Sequence, residues 1–322
     1  MAKLIHKTKN GAFYHGDSVE ELKSGKLAKN LKGKVNLILT SPPFPLNLKK
    51  SYGNLQGEDY KKWLSSLAEI WSELLAPDGS IVIELGNAWE KGRPIQSLLH
   101  LESLIGFARN KKAKLNLCQQ FICYNPSRLP SPANWVTINR IRFTDSYTHV
   151  WWFSKSDFPK ADNSKVLRPY SKSMEQLLKR GKYNAGKRHS EHVISEKGFL
   201  TNHGGSIMHN FIECEPMEEG AEPRLPRNAF SIANTCSNDF FLKKCRELKI
   251  TPHPARMSIG LAKLFIEFLT EEGDIVLDPF GGSNTTGFAA ETLNRKWVSL
   301  EISENFLEQS KVRFSDPVLK KN

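Results

Sequence analysis

The sequence predicts a mainly parallel α/β sheet with a polar, basic segment inserted into its course. Three observations carry this expectation. Short apolar runs alternate with amphipathic helical stretches from residue 35 to residue 153. The same texture returns from Pro252 onwards. Between them, residues 154–250 are rich in Ser, Asn, Gly, Pro and basic side chains, with weak periodicity.

Val35-Asn-Leu-Ile-Leu39 reads as a buried strand, followed at once by Thr40-Ser41-Pro42-Pro43-Phe44. Tyr60 to Leu75 places Trp63, Leu64, Leu67, Ile70, Trp71 and Leu74 at helical spacing. Pro77-Asp78-Gly79 should end that helix, and Ser80-Ile-Val-Ile-Glu84 should form the next strand. Further strands are expected at 117–124 and 148–153. The inserted segment should hold helices near 171–180 and 239–248, with an acidic patch from Glu213 to Glu222. Ile259 to Leu269 reads as an amphipathic helix and Asp274 to Asp278 as a strand. Thr285 to Leu293 then reads as a helix, Trp297 to Glu301 as a strand, and Ser303 onwards as the last helix. Both ends of the chain should therefore share one sheet. The division expected is 1–153 and 251–322 as two halves of one α/β domain, with 154–250 inserted as a recognition segment.

Composition narrows the class. A chain of 322 residues with 39% hydrophobic and 10% aromatic side chains can bury a full core and is not globally disordered. A net charge of +12 points to a polyanionic partner. Residues 155–198 hold eleven Lys/Arg against five Asp/Glu, so half of that charge lies in one short stretch suited to phosphate contact. The five cysteines form no C-x-x-C, and neither a secretory signal nor a membrane-length apolar run is seen. The expectation is a cytosolic protein with reduced thiols and no membrane association. His189-Ser-Glu-His192 offers half a metal-ligand set, but in so polar and basic a stretch it reads as a solvated loop.

Two motifs carry the chemistry. The first is Asp278-Pro-Phe-Gly281-Gly282-Ser283-Asn284-Thr285-Thr286-Gly287, a Gly-rich turn between a strand and a helix. Small residues there let the backbone approach a ligand at a helix N-terminus. Asp278 stands where a carboxylate can meet a ligand's ammonium. Glu301 ends the next strand, where an acidic residue takes both hydroxyls of a ribose. The pair implies a nucleoside cofactor. The pattern is neither G-x-G-x-x-G nor a P-loop, which disfavours a dehydrogenase or a nucleotide hydrolase. The second motif is Ser41-Pro42-Pro43-Phe44. Ser41 Oγ and the Pro42 carbonyl can accept hydrogen bonds from an amino group, while the prolines stiffen the turn and add no competing donor. Phe44 offers a flat face for an extruded base.

Together these motifs resemble motifs I and IV of the S-adenosylmethionine-dependent amino-methyltransferases of DNA. Motif IV precedes motif I, as in the family's β-type order. His15-Gly-Asp-Ser18 resembles motif III, and His253-Pro-Ala-Arg256 resembles the opening of motif X. Tyr52-Gly53-Asn54, Asn125 to Pro132 and Val150 to Lys155 also resemble a cytosine-N4 member, so the likeness spans nearly the whole chain and is weakest at 171–250. The resemblance implies a circularly permuted Rossmann-like methyltransferase with an inserted target-recognition segment, S-adenosylmethionine as cofactor and double-stranded DNA as partner. It also implies roles. Asp278, Phe280, Gly281, Gly282 and Ser283 would line the cofactor's methionine side, with Thr285 and His253 nearby. Glu301 would hold the ribose, and Asp17 and Ser18 the adenine end. Ser41, Pro42, Pro43 and Phe44 would form the target-base pocket. Glu84 either orients Ser41 or is a structural carboxylate. Asn284 departs from the glycine that many relatives carry.

The serine opening of motif IV and the N4-like stretches favour cytosine N4. No cysteine follows a proline, which argues against C5 methylation. Adenine N6 is the alternative base target. A DNA-binding relative without catalysis and an RNA substrate are weaker readings. A cognate restriction endonuclease is the expected functional counterpart.

Overall fold

The computed structural model describes residues 2–44, 55–126, 128–195, 198–216, 230–234, 239–253 and 256–320. Tyr52-Gly53-Asn54, Ser127, Cys236, Pro254, Ala255 and most of the acidic patch lie outside the described residues.

One sheet organises the chain. Its strands are β1 (Lys3–Lys7), β2 (Gly11–His15), β3 (Val35–Thr40), β4 (Leu75–Gly86), β5 (Asn116–Tyr124), β6 (Tyr147–Ser154), β7 (Phe211–Pro216), β8 (Phe230–Asn234), β9 (Ile275–Asp278) and β10 (Lys296–Glu301). Their order is β1-β2-β10-β9-β3-β4-β6-β5-β7-β8. Only β1 and β6 run against the rest. Both chain ends share the sheet as expected, with Glu301 level with His15. Sequence order runs outward from β3 to β4 on one side and from β9 to β10 on the other. The gap between β9 and β3 is thus a topological switch point, where open α/β sheets bind ligands.

Helices cover both faces, which is why the central strands read as continuous apolar runs. In β3 the alternation of a strand sends Ile38 to one face and Leu37 and Leu39 to the other. α1 (Ser18–Ser24), α2 (Lys26–Leu31), α3 (Gly57–Leu74) and α4 (Leu99–Ala108) pack on the Ile38 face. There α3 buries Tyr60, Leu64, Leu67, Ala68 and Trp71. α5 (Lys172–Arg180) buries nothing, and α6 (Phe240–Glu247) packs on α9 (Leu307–Phe314). α7 (Ile259–Leu269) and α8 (Thr285–Thr292) cover the Leu37 face.

Two expectations need correction. Pro77-Asp78-Gly79 does not separate helix from strand: α3 ends at Leu74 and β4 starts at Leu75. The triplet bulges within β4, because Val35 pairs with Leu75 but Leu37 already pairs with Ser80. Trp63 and Ile70, placed on the core face by their spacing, are only partly buried, and Tyr60 and Ala68 take buried positions on that face.

The stretch 154–250 divides in two. Residues 211–216 and 230–234 join the central sheet as β7 and β8, and Ile212 is fully buried in its core. The outer part is closed at its base by paired backbone bonds between Arg168 and Ser206, at 3.0 and 2.8 Å. This lobe holds α5, a short ladder pairing Gly186–Lys187 with Val193–Ile194, and a Tyr183–Phe199 ring contact. His189 and His192 sit in its exposed turn. No group of three metal-ligating side chains occurs among the described residues, and no helix is long and apolar enough to cross a membrane.

Candidate active site

A cavity of about 430 Å³ opens at the carboxyl ends of β2, β10, β9 and β3. Every candidate residue except Glu84 lines it.

The Gly-rich turn after β9 forms its floor. Gly282 adopts φ +50°, in the left-handed region that favours glycine, and a Cβ there would approach the His253 ring at 3.4 Å. Asn284 is also left-handed, at φ 59° and ψ 46°. Asparagine is the side chain that most readily replaces glycine in that conformation, and its amide donates to Ser310 Oγ at 2.9 Å. The departure from glycine at this position is therefore accommodated locally. His253 forms a lid edge, held by its backbone N–H on Gln309 at 2.7 Å and by an edge contact with Phe306.

Two buried carboxylates face this turn. Glu301 Oε2 accepts from the Gly282 N–H and Oε1 from the Ser303 N–H, both at 2.8 Å. A carboxylate has about four lone-pair sites, so one on each oxygen is left once its plane is fixed. Asp278 Oδ1 accepts from Thr40 Oγ1 at 2.7 Å and from the Phe280 N–H at 3.1 Å. Burial pushes the Asp278 carboxyl up to about 6. Burial also raises Glu301, against the pull of its backbone donors. A cavity that holds buried acids at such a cost is suited to a cationic, hydroxylated ligand. Asp17 and Ser18 reach the cavity because the Gly16 N–H donates to the Glu301 carbonyl at 2.9 Å. Asp17 also caps α1 through Val19 and Glu20.

The opposite wall is Ser41, Pro42, Pro43 and Phe44. Tyr60 donates its hydroxyl to the Pro43 carbonyl at 2.8 Å, tying the turn to α3. Phe44 lies over Gly86, where any Cβ would collide with the ring at 2.5 Å. Ser41 Oγ lies 3.4 Å from the backbone carbonyl of Glu84 and donates to it. The Glu84 carboxylate instead accepts from Thr148 Oγ1 at 3.0 Å, and packing around it raises its pKa. Glu84 thus meets Ser41 through its main chain, while its side chain ties β4 to β6.

Sequence reasoning missed several contributors. Arg313 is buried, and donates from Nε to the Ser283 carbonyl at 2.8 Å and from Nη2 to Ser283 Oγ at 3.0 Å. It stands 4.1 Å from the Phe241 ring centre, and burial lowers it to about 10. Its signal was the run of buried positions on α9 that carry polar side chains, Gln309, Ser310 and Arg313, where the inward face of a helix should be apolar. Trp63 packs on Phe280 at 5.6 Å and lines the cavity. Thr40 links the two motifs, and Arg128 contributes to the rim.

A Rossmann-like sheet with a nucleoside-type acidic pair beside a Ser-Pro-Pro-Phe wall defines a methyltransferase-type site. A family model described as DNA methylase matches residues 35–312, and the chain belongs to that family. Type II methyltransferase M.PvuII of Proteus hauseri is 40% identical over 316 residues, 98% of this chain and 86% of that protein. Type II methyltransferase M.BglII of Bacillus subtilis is 24% identical over 279 residues, 85% of this chain and 62% of that one. Among solved structures, the PvuII DNA methyltransferase (cytosine-N4-specific) aligns with TM-score 0.72 and 33% identity, covering 99% of this chain and 96% of that one. The M1.HpyAVI–SAM complex aligns with TM-score 0.53 and 19% identity over 95% of this chain and all of that one, a likeness of fold.

Proposed function

We propose that this protein is a site-specific DNA methyltransferase that transfers a methyl group from S-adenosylmethionine to N4 of cytosine in duplex DNA. In this reading it is the modification enzyme beside a cognate restriction endonuclease, working in the cytoplasm of a bacterium or archaeon. One observation carries the proposal. The acceptor turn Ser41–Phe44 and the acidic pair Asp278 and Glu301 face the same cavity, joined by the Thr40–Asp278 hydrogen bond.

The residues present fit the cofactor. Gly282 leaves room beside the His253 ring that a side chain would fill, and Gly281 packs so closely on Leu300 and Phe13 that a side chain would crowd them. Glu301, its plane fixed by two backbone donors, is placed to take the two ribose hydroxyls. Asp278 offers a buried negative charge to an ammonium, and burial makes that pairing stronger than in water. S-adenosylmethionine supplies, when bound, a methyl group activated by a sulfonium.

The remaining work belongs to the protein. An exocyclic amino group is a weak nucleophile because its lone pair is delocalised into the ring. Ser41 has one proton and two lone pairs. Its proton is directed at the Glu84 carbonyl, which leaves the lone pairs to accept from the amino group. With the Pro42 carbonyl as a second acceptor, the amino nitrogen is drawn towards tetrahedral geometry and its lone pair localised. Phe44, seated on Gly86, stacks on the extruded base. Alignment of two bound partners supplies much of the acceleration, with no covalent enzyme intermediate. The proposal is tested by radiolabelled methyl transfer to plasmid DNA and to RNA. Label in DNA alone is expected; label in RNA alone, or in neither, contradicts it.

Glu301→Ala is expected to weaken S-adenosylmethionine binding by about 1.5–3 kcal/mol, the worth of hydrogen bonds to a charged group. Calorimetric titration reads this directly, and unchanged affinity in a folded variant would remove Glu301 from the site.

Target recognition belongs to residues 154–250, and chiefly to the lobe closed at Arg168 and Ser206. Lys160 and Lys165 are ion-paired with Asp274 and Glu271, so they anchor the segment to the core. From 168 to 206 the chain carries eight Lys/Arg against three Asp/Glu, a surplus suited to meeting phosphates. Replacing Lys179 and Arg180 by Gln should lower the magnitude of the salt-dependence slope of DNA binding by about 2. An unchanged slope, measured by fluorescence anisotropy across a salt series, would take α5 off the DNA.

A further inference from the structure

The loop between β5 and β6 spans residues 125–146, and its described residues present apolar side chains to solvent. Its base is closed by the Asn125 N–H on the Ser146 carbonyl at 2.6 Å and by Arg128 on the Tyr147 carbonyl at 3.3 Å. Its interior is held by its own backbone bonds, from Trp135 and Val136 to Pro132 and from Ile141 to Trp135. Even so, Leu129 is 81% exposed, Ile138 70% and Phe143 94%, the highest value among large apolar side chains of the described residues.

Phe143 is presented by a backbone pinned on both sides. Its neighbour Arg142 lies 3.6 Å from the centre of the Trp89 ring and donates to the Pro94 carbonyl at 2.9 Å. Two residues on, Asp145 is partly buried. The main chain is thus fixed while the ring is free. A lone aromatic held out in this way has no partner within the described chain.

The occupant is set by position and charge. Arg128 belongs both to this loop and to the rim of the cavity, so whatever delivers a base to that cavity also meets the loop. The loop carries Arg128, Arg140 and Arg142 against the single acid Asp145, which favours a polyanion. When a base leaves a duplex, its neighbours lose a stacking face. An exposed aromatic ring on a loop that reaches the cavity rim through Arg128 can restore that face. We propose that loop 125–146 enters the DNA at the target site and that Phe143 stacks in the gap left by the extruded base. The inference rests on the DNA methyltransferase reading above and adds the side chain that holds the base out.

The test uses the full chain and two duplexes containing the site mapped from methylated plasmid. One carries the normal target pair. The other has an abasic residue opposite the target base, which removes the pairing that Phe143 would have to offset. Phe143→Ala should lower the single-turnover rate on the paired duplex by about ten- to hundredfold, the range for loss of one base–aromatic stack. The rate should recover on the abasic duplex, and Phe143→Trp should stay near wild type on both. Cofactor affinity and melting temperature should not change, because the ring is exposed. A wild-type rate for Phe143→Ala on paired DNA would overturn the proposal. So would an equal loss on both duplexes, or recovery seen with Leu129→Ala in place of Phe143→Ala. Failure of the methyltransferase reading looks different: the unaltered protein would then methylate neither duplex.

Discussion

Ser41→Ala is expected to slow the chemical step of methylation by about 10²–10³, the usual cost of removing one positioned polar contact from a preorganised site. DNA and cofactor affinity should change little. The reason lies in the direction of the hydroxyl. Ser41 donates towards the Glu84 carbonyl, so what the substrate loses in the variant is an acceptor that matters most when the amino nitrogen becomes tetrahedral. An acceptor used mainly in the transition state lowers the rate and spares binding. The turn itself should survive, because it is stiffened by two prolines and tied to α3 through Tyr60. Single-turnover rates with separately measured dissociation constants read the split. A wild-type rate, or a trapped covalent adduct between Ser41 and DNA, would rule the assignment out.

Asp278→Asn should have opposite effects on stability and on cofactor binding. The carboxyl is pushed from its ordinary 3.8 to about 6 by burial. Protonated Asp278 therefore contributes stability that is fully present below pH 3.8 and is lost as pH rises through about 6. The difference corresponds to about 3 kcal/mol at most. Asparagine escapes this loss, and its carbonyl can still accept from Thr40 and the Phe280 N–H. The cofactor-free variant should thus gain on the wild type as pH rises from 4 to 6 and keep the advantage above that. The same change removes the charge that meets the ligand's ammonium. Loss of one partner from a buried charge pair costs about 3–5 kcal/mol, so cofactor affinity should fall by about two to four orders of magnitude. Denaturant melts across this pH range and calorimetric titration check both halves. A variant that is less stable at pH 8, or that binds cofactor as wild type does, would contradict the account.

The sequence made the inner sheet legible because its strands are buried on both faces. Val35 to Leu39, interrupted by Asn36, and Trp297 to Leu300, interrupted by Ser299, show this as nearly continuous apolar runs. It made the two motifs legible because each combines rare residue types, prolines after a serine and glycines before an acidic strand end. β7 and β8 were hidden, since β7 pairs with β5 across some 90 positions of sequence and β8 pairs with β7, and Phe211 to Pro216 alternates too briefly to declare a strand. Trp63 was read as core because helical spacing cannot separate a residue facing a sheet from one facing a cavity at its edge. Glu84 acts on Ser41 through a carbonyl, which side-chain identity does not encode. Arg313 was obscured for a related reason: its partner is the main chain and hydroxyl of Ser283, 30 residues away.

The identity of the methylated nucleoside tests the central claim most directly. Plasmid DNA incubated with the purified protein and isotopically labelled S-adenosylmethionine is digested to nucleosides and resolved by mass spectrometry. The account predicts label in N4-methylcytosine alone, strongly reduced with the Ser41→Ala protein; label in N6-methyladenine or 5-methylcytosine, or none in DNA, would contradict it.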